Sequence, residues 1–412
     1  MVKWLPIGFD EALKKTVEAI VPLGVEMVEL SESTGRIAAQ DLIAKVDSPS
    51  INASLKDGYA VKSEDLTFAS ENNPVKLKLK GYAAAGDKVE DKENFCLKSG
   101  EACRILTGAK LPDGADAVLS EEYVDVQRSN NYSTVIAKNV AEFGRNILPK
   151  GSDVKVGEPV VSANQFITAG FAGLLAASGF SQIPLFKQPI VSIIATGNEV
   201  IAPGLPLSEG KLYASNMVTL SAFCHDYGMK SLTFIVKDVE DEIRSTLKSA
   251  LEVSDAIITS GGAWTGDRDM VAKILLSMGW KQIFHRIRIG PGKAVGFGIL
   301  NQKPVFILPG GPPSNLMGFL QIALPGLMRL AGYPNPGLKT ATVMLESELY
   351  GRDSDWTQFV FGVVTQSDVM PIFQSLRQKG RLQAMAQANA IATIPEGKTL
   401  IASGEVIKVQ IV

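Results

Sequence analysis

Four short stretches of this chain gather residues able to handle an anionic, phosphorylated ligand. They are Thr196-Gly197-Asn198-Glu199, Lys237-Asp238, Ser260-Gly261-Gly262-Ala263-Trp264-Thr265-Gly266-Asp267-Arg268-Asp269 and Pro309-Gly310-Gly311-Pro312-Pro313-Ser314-Asn315. Glycines at 261, 262, 310 and 311 let backbone N–H groups come close to a ligand, and a helix opening after such a loop favours an anion. Lys293, within Gly290-Pro291-Gly292-Lys293, adds a cation. Glu199, Asp238, Asp267 and Asp269 offer oxygen donors of the kind Mg2+ prefers, and that ion bridges phosphates. Taken singly, a Gly-Gly pair is more often a tight turn and a carboxylate more often a helix cap.

Position is what joins them. Each stretch follows a strand-like run, at 190–195, 232–236, 256–259 and 305–308. Helical patterns separate the runs: Leu220, Phe223, Cys224 and Tyr227 share one face ended by Gly228; Ile243, Leu247, Ala250 and Leu251 share another; Ile274, Leu275 and Met278 mark a third before Gly279. Alternating strands and helices predict a parallel sheet with right-handed crossovers, and such sheets bind ligands outside the carboxyl ends of their strands. Neither a Walker A loop nor a full dinucleotide fingerprint is present.

The rest of the 412 residues exceeds one core, so three or four folding units are expected. Phe9, Leu13, Val17 and Ile20 fall at helical spacing. Short β-rich runs at 75–79 and 117–119 alternate with Gly, Asn and Asp turns, as in a small inserted β-domain. A helical stretch is expected near 163–179, and strands at 340–345, 359–364 and 406–412. The expected organisation is multidomain α/β plus β. Residues 1–45 with 141–180 form a helical or mixed N-terminal domain; 46–140 form an inserted β-rich domain; 181–332 form the α/β ligand-binding domain; 333–412 form a C-terminal β-domain.

Composition narrows the chemistry. With 46% hydrophobic and 20% charged residues and a net charge of -2, the chain has no broad attraction for nucleic acid or anionic lipid. Three scattered cysteines, Cys96, Cys103 and Cys224, suit neither a disulfide framework nor a thiolate zinc site. Two histidines, His225 and His285, make no His-rich metal centre, so acids and bases would be carboxylates and lysines. The start, Met1-Val2-Lys3-Trp4-Leu5-Pro6, lacks the apolar core of a signal peptide, and the apolar stretches at 166–180 and 316–332 span a bilayer poorly. A cytoplasmic protein without membrane or nucleic-acid partners is expected.

Further motifs complete an ordered series. They are Ala53-Ser54-Leu55-Lys56-Asp57-Gly58-Tyr59-Ala60-Val61; Arg104-Ile105-Leu106-Thr107-Gly108-Ala109 with Gly114-Ala115-Asp116-Ala117-Val118; and Gly144-Arg145-Asn146-Ile147 with Gly151-Ser152-Asp153-Val154. Together with the loops above, Pro291-Gly292-Lys293 and Leu308-Pro309-Gly310, they make the chain resemble the molybdopterin molybdenumtransferases, the MoeA family that includes the E domain of gephyrin. The resemblance covers nearly the whole chain. It implies a four-domain subunit with a three-layer α/β domain and a C-terminal β-barrel-like domain, paired as a homodimer with its active cleft shared between subunits.

The resemblance also implies a substrate, adenylylated molybdopterin, and a reaction. With Mg2+ and molybdate (or tungstate) as co-substrate, the phosphoanhydride is cleaved, AMP leaves and the metal is placed on the dithiolene. A molybdopterin adenylyltransferase is an implied partner. Carried over by motif, Asp57, Asp153, Glu199, Asp238 and Asp269 would be catalytic, and all of these except Asp153 would hold the metal. Substrate would be bound by Thr107, Thr196, Gly197, Ser260, Gly261, Gly262, Asp267, Arg286, Lys293, Pro309, Gly310, Pro312 and Ser314.

The chain departs from the family pattern at several points. Asn198 stands where the family has Asp before Glu199; Gly290 precedes Pro291-Gly292-Lys293; and Gly311-Pro312-Pro313 replaces Asn-Pro-Val. The usual Gly-Ser-Gly of the last domain is Gln378-Lys379-Gly380-Arg381, and Phe361 stands where an arginine is often found. Lys379 and Arg381 are therefore expected to supply substitute positive charge to the oxyanion. The altered loops leave a non-catalytic molybdopterin carrier as the alternative, and the retained carboxylates argue against it. A gephyrin-like scaffold ranks last, since no long linker or second pterin-binding module is present.

Overall fold

A computed structural model of the protein describes residues 7–86, 96–129, 132–261 and 270–412. They form two compact units. One takes in the chain up to Met27, Gly35–Ala39 and Pro184–Val412; the other takes in Val28–Thr34 and Gln40–Ile183.

The centre of the first unit is a six-stranded sheet in the order Lys230–Val236, Ile190–Thr196, Ala256–Ser260, Lys303–Leu308, Gly296–Leu300, Lys281–His285. The first four strands are parallel. Gly296–Leu300 is antiparallel to both neighbours, so Lys281–His285 points the same way as the first four. Helices cover both faces, which is why the strands read as continuous apolar runs. Leu220 of helix Ser215–Asp226 and Leu316 and Leu320 of the helical run 312–330 share a core on one face. Ile243 and Leu247 of Glu240–Val253 and Val271 and Leu275 of Met270–Ser277 share a core on the other. The domain is thus three layers deep, as expected.

The edge hairpin made by Lys281–His285 and Gly296–Leu300 was not expected from the sequence. Glycines at 296 and 298 hide the second strand, yet packing requires one of them. A Cβ on Gly298 would stand 2.4 Å from the Lys281 carbonyl oxygen and 2.7 Å from the Trp280 indole. The strand can pass under the indole only without a side chain there.

Toward the C-terminus of this unit, Thr357–Thr365, Ile372–Ser375, Thr340–Leu345, Val406–Ile411 and Ala390–Ile394 pair in sequence, and the last pairs back onto the first. The result is a closed five-stranded barrel filled by Val343, Val360, Phe373, Ile394 and Val409. Closure leaves no free strand edge. Helix Phe9–Ala19 belongs to the same unit: Phe9 meets Phe359 edge to face at 5.2 Å between ring centroids.

The second unit is built on a sheet in the order Ala117–Ser120, Gly58–Val61, Glu101–Ile105, Val75–Ala83, Ser133–Ala137, Val124–Arg128. Tyr59, Val61, Leu77, Leu119 and Val135 form its core. The helix predicted over 163–179 is shorter, Ala169–Ala177, and is capped by the Thr168 hydroxyl, which accepts from the Phe171 amide at 3.3 Å. Among the described residues, no helix is long and apolar enough to cross a membrane.

Candidate functional site

Strand order places the crevice of the first unit. From Ile190–Thr196 the chain crosses to Lys230–Val236 on one side and then to Ala256–Ser260 on the other. The direction of winding reverses between Thr196 and Ser260, and at such a reversal the loops part to leave a crevice. Thr196, Gly197, Ser260, Gly261, Pro309 and Gly310 all stand at this carboxyl edge. Lys281–His285 runs in the same direction, so its end brings Arg286 to that edge as well.

The loops are tied closely to one another. The Gly197 amide donates to the Val236 carbonyl at 3.1 Å, and the Gly261 amide to the Leu308 carbonyl at 3.1 Å. Gly261 has φ +106°, and a Cβ there would stand 2.6 Å from the Thr196 carbonyl oxygen. Glycine is needed here both for the backbone conformation and for the approach. Thr196 is buried, and its hydroxyl has no hydrogen-bond partner among the described residues. Ser260 is also buried. Its Oγ accepts from Asn315 Nδ2 at 3.0 Å and from Asn216 Nδ2 at 3.3 Å, two residues that sequence reasoning did not single out.

Glu199 and Asp238 follow adjacent strands and are exposed. Asn198 links their loops, since its Oδ1 accepts from the Asp238 amide at 3.2 Å. The Leu212 amide donates to the Glu199 carbonyl at 2.8 Å, so the short ladder of Val200–Ile201 with Leu212–Tyr213 steadies this turn. Magnesium commonly takes one or two carboxylates and completes its shell with phosphate oxygens and water. Glu199 and Asp238 are exposed carboxylates on neighbouring loops and offer oxygen donors of that kind. No group of three His, Cys, Asp or Glu side chains able to hold a metal ion occurs among the described residues. Gly262, Asp267 and Asp269 lie outside the described residues.

Arg286 and Lys293 share one loop. The Arg286 amide donates to the Val295 carbonyl at 2.9 Å, and the Ile287 amide to the Lys293 carbonyl at 3.0 Å. Arg286 adopts φ 71°, an uncommon value for a residue with a side chain. Gly292 brings the loop against helix Pro312–Gly318, where a Cβ would stand 3.3 Å from the Ser314 carbonyl oxygen. The loop that carries Arg286 and Lys293 therefore lies against the helix that carries Pro312 and Ser314. Helix Arg381–Gln387 packs on Pro312–Gly318, so exposed Lys379 and Arg381 lead into an element that touches the crevice wall.

His285, next to Arg286, is fully buried. Burial first, and the Arg286 charge second, hold its imidazole down to about 4 from 6.5. The unfolded chain takes up a proton near pH 6.5, whereas the folded chain resists until about pH 4. Stability should therefore fall as the pH drops below 6.5, by roughly 2 kcal/mol at pH 5. Urea unfolding of wild type and His285→Gln at pH 7 and pH 5 checks this. The variant should lose that part of the slope, and equal slopes would remove His285 as its source.

The second unit holds a separate cluster. Asp57 Oδ1 accepts from the Thr107 amide at 2.7 Å and from the Thr107 hydroxyl at 2.8 Å. The amide first and the hydroxyl second hold the carboxyl below its ordinary value, and the Arg104 charge adds to them. Arg104 also lies over the Tyr59 ring at 5.1 Å. The three motifs of this half meet here: the Leu55 amide donates to the Asn146 carbonyl at 2.8 Å, and Asn146 Nδ2 to the Val118 carbonyl at 2.8 Å. Asp153 is not brought to this cluster. It is exposed, and its amide bonds the Ser48 carbonyl at 2.9 Å, farther along the strand ladder. The organising carboxylate of that loop is Asp47, which accepts from the Val156 amide at 2.9 Å and pairs with Lys150 at 3.2 Å.

Comparison with known proteins agrees with this layout. Family models described as the MoeA N-terminal region (domain I and II), the probable molybdopterin binding domain and the MoeA C-terminal region (domain IV) match residues 7–179, 192–329 and 350–412. The molybdopterin molybdenumtransferase of Staphylococcus aureus (strain COL) is 29% identical over 412 residues, covering 98% of this chain and 95% of that protein. The enzyme of the same name from Bacillus subtilis (strain 168) is 29% identical over 413 residues, covering 100% and 95%. The crystal structure of the molybdopterin biosynthesis MoeA protein from Pyrococcus horikosii superposes with a TM-score of 0.81 at 30% identity, covering 99% of each chain. The chain therefore belongs to the MoeA family, whose members from Staphylococcus aureus and Bacillus subtilis are named molybdopterin molybdenumtransferase.

Proposed function

We propose that this protein acts in molybdenum cofactor biosynthesis as a molybdopterin molybdenumtransferase, inserting molybdate or tungstate into adenylylated molybdopterin with release of AMP. The observation that carries this reading is the crevice at the winding reversal. Its floor is formed by Thr196, Gly197, Ser260 and Gly261, in the part of the chain matched by the molybdopterin-binding family model. The finer assignments stand with it: a cytoplasmic homodimer whose active cleft is shared between subunits, supplied by an adenylyltransferase, and four domains with the boundaries given above.

In this mechanism the glycine loops hold the pterin and its phosphates close to backbone amides. Arg286 and Lys293 offset charge that builds on the phosphate oxygens as the anhydride P–O bond breaks. Lys379 and Arg381 attract the oxyanion. Glu199 and Asp238, with Asp269 and Asp57, would hold magnesium, which supplies charge neutralisation at the phosphates. Asp57 is kept ionised by Thr107. In this reading Asp153 would act among the catalytic carboxylates, from outside the Asp57 cluster, and Gly262, Asp267, Pro309, Gly310, Pro312 and Ser314 would be substrate contacts. The attacking oxygen comes from water or from molybdate. The dithiolene sulfurs belong to the substrate, so no cysteine ligand is required of the protein.

The test is AMP release from adenylylated molybdopterin by purified protein with magnesium, comparing molybdate, tungstate and neither. Oxyanion-dependent release is expected, and the more effective oxyanion is the preferred one. Tight molybdopterin binding with no AMP release would sink the enzyme reading and favour the carrier.

A further inference from the structure

We propose that Asn216 and Asn315 are positioning residues that fix the direction of the Ser260 hydroxyl, making it a dedicated hydrogen-bond donor to an anionic oxygen of the ligand. The inference rests on the reading of the crevice as a molybdopterin site and deepens it.

The argument is one of satisfied valences. A primary amide has two N–H donors, and a hydroxyl has one donor and two lone pairs. Asn315 Nδ2 donates to the Pro309 carbonyl at 2.8 Å and to Ser260 Oγ at 3.0 Å. Asn216 Nδ2 donates to the Gly310 carbonyl at 2.8 Å and to Ser260 Oγ at 3.3 Å. A carbonyl can only accept, so each backbone partner determines which end of its amide is the nitrogen. The second N–H of each amide is then aimed at the same hydroxyl oxygen. Both lone pairs of Ser260 Oγ are occupied, and its hydrogen must point along the remaining direction. Among the described residues it has no acceptor.

Ser260 is 6% exposed and Asn315 1% exposed. A buried hydroxyl whose lone pairs are already used turns away a ligand donor and welcomes a ligand oxygen that carries lone pairs alone. Asn216 lies in the first turn of Ser215–Asp226 and Asn315 in the first turns of Pro312–Gly318. Two helices that follow different strands thus aim the one hydroxyl. The same four bonds tie the Ser260 and Pro309–Gly310 loops together, so the donor and the glycine backbone around it are positioned as one piece.

The experiment is a double-mutant cycle read by molybdopterin affinity, with thermal unfolding recorded on every variant. Asn216→Leu is half-buried, keeps the side-chain shape and adds no charge, so it should fold; Asn315→Leu is a second variant for the same purpose. Ser260→Ala and Asn216→Leu should each weaken binding about tenfold. In the Ser260→Ala background, Asn216→Leu should change affinity less than about twofold, because the group it aims is gone. Additive losses would overturn the proposal, since Asn216 would then act independently of Ser260. Ser260→Ala binding as tightly as wild type would overturn it as well. If the wild-type protein does not bind molybdopterin, the functional reading itself fails, and that result is distinct from the other two.

Discussion

Gly58→Ala is expected to unfold the second unit at a temperature roughly 8–16 °C below wild type, corresponding to about 4 kcal/mol for a unit of this size. Gly58 sits in a central strand between Ala117–Ser120 and Glu101–Ile105 and pairs with Ser120 and Ile105. A Cβ there would stand 2.1 Å from the Leu119 carbonyl oxygen, 2.9 Å from the Leu119 carbonyl carbon and 3.0 Å from the Ser120 Cα. These are backbone atoms of a paired strand, so no rotamer change relieves them. Either the ladder to Ala117–Ser120 opens or Gly58–Val61 moves away from it. Opening exposes Leu119 and Tyr59, both core residues of this unit. Moving displaces Asp57, whose own carbonyl accepts the Glu121 amide at 3.1 Å. Differential scanning calorimetry decides the matter: an unchanged transition would mean that the strands have more room than this packing allows. The glycine after Asp57 therefore has a packing reason of its own, separate from any contact with substrate.

The parts of the fold that could be read from the sequence are those where one physical requirement dominates. Strands buried on both faces are predominantly apolar, so Ile190–Thr196, Ala256–Ser260 and Lys303–Leu308 stood out. Their carboxyl ends then located the crevice by topology alone. Where requirements compete, the sequence shows less. Phe9, Leu13 and Ile20 of the helical stripe do pack against the core, yet the most buried positions of helix Phe9–Ala19 are the small residues Ala12 and Thr16 on the same face. Gly326 explains this, for it lets the first helix come so near that a Cβ on it would touch Thr16 and Ile20. Small residues win at such a crossing, and periodicity of large ones cannot show it. The barrel strands Ile372–Ser375 and Ala390–Ile394 are only four and five residues long, too short for an alternating pattern to mark them.

The candidate site was legible to the same degree. Glycines and carboxylates at strand ends announced themselves by type. Asn216 and Asn315 did not, because an asparagine in the first turn of a helix ordinarily serves that helix. Both amides converge on Ser260 only once the chain has folded. Asp47 was missed for a similar reason: no motif marks it, and only the folded loop shows that it accepts from the Val156 amide and pairs with Lys150.

Asp57→Asn is the substitution expected to cost the reaction most, lowering the rate of AMP release at least about 100-fold while leaving thermal stability nearly unchanged. Asparagine keeps the shape and keeps an oxygen that can accept from both the amide and the hydroxyl of Thr107. What it removes is the negative charge. Asp57 is exposed, so that charge adds little to folding, and its loss should appear in turnover. Thr107→Val tests the complementary half, since it deletes the hydroxyl bond, keeps the backbone amide bond and leaves the carboxylate charged. A loss of about tenfold is expected there, uniform from pH 5 to 8, because the hydroxyl bond that holds the carboxylate in place is gone while the carboxylate itself stays ionised across that range. The Thr107 amide and hydroxyl hold the Asp57 carboxyl below 3.8, and removing one of them moves it back toward that value. In wild type, Asp57 stays ionised throughout the range from pH 5 to 8, and any fall in activity there must come from another group. If Asp57→Asn releases AMP at the wild-type rate, the charge at this position takes no part in the chemistry, and the cluster around Thr107 is a structural feature of the second unit alone.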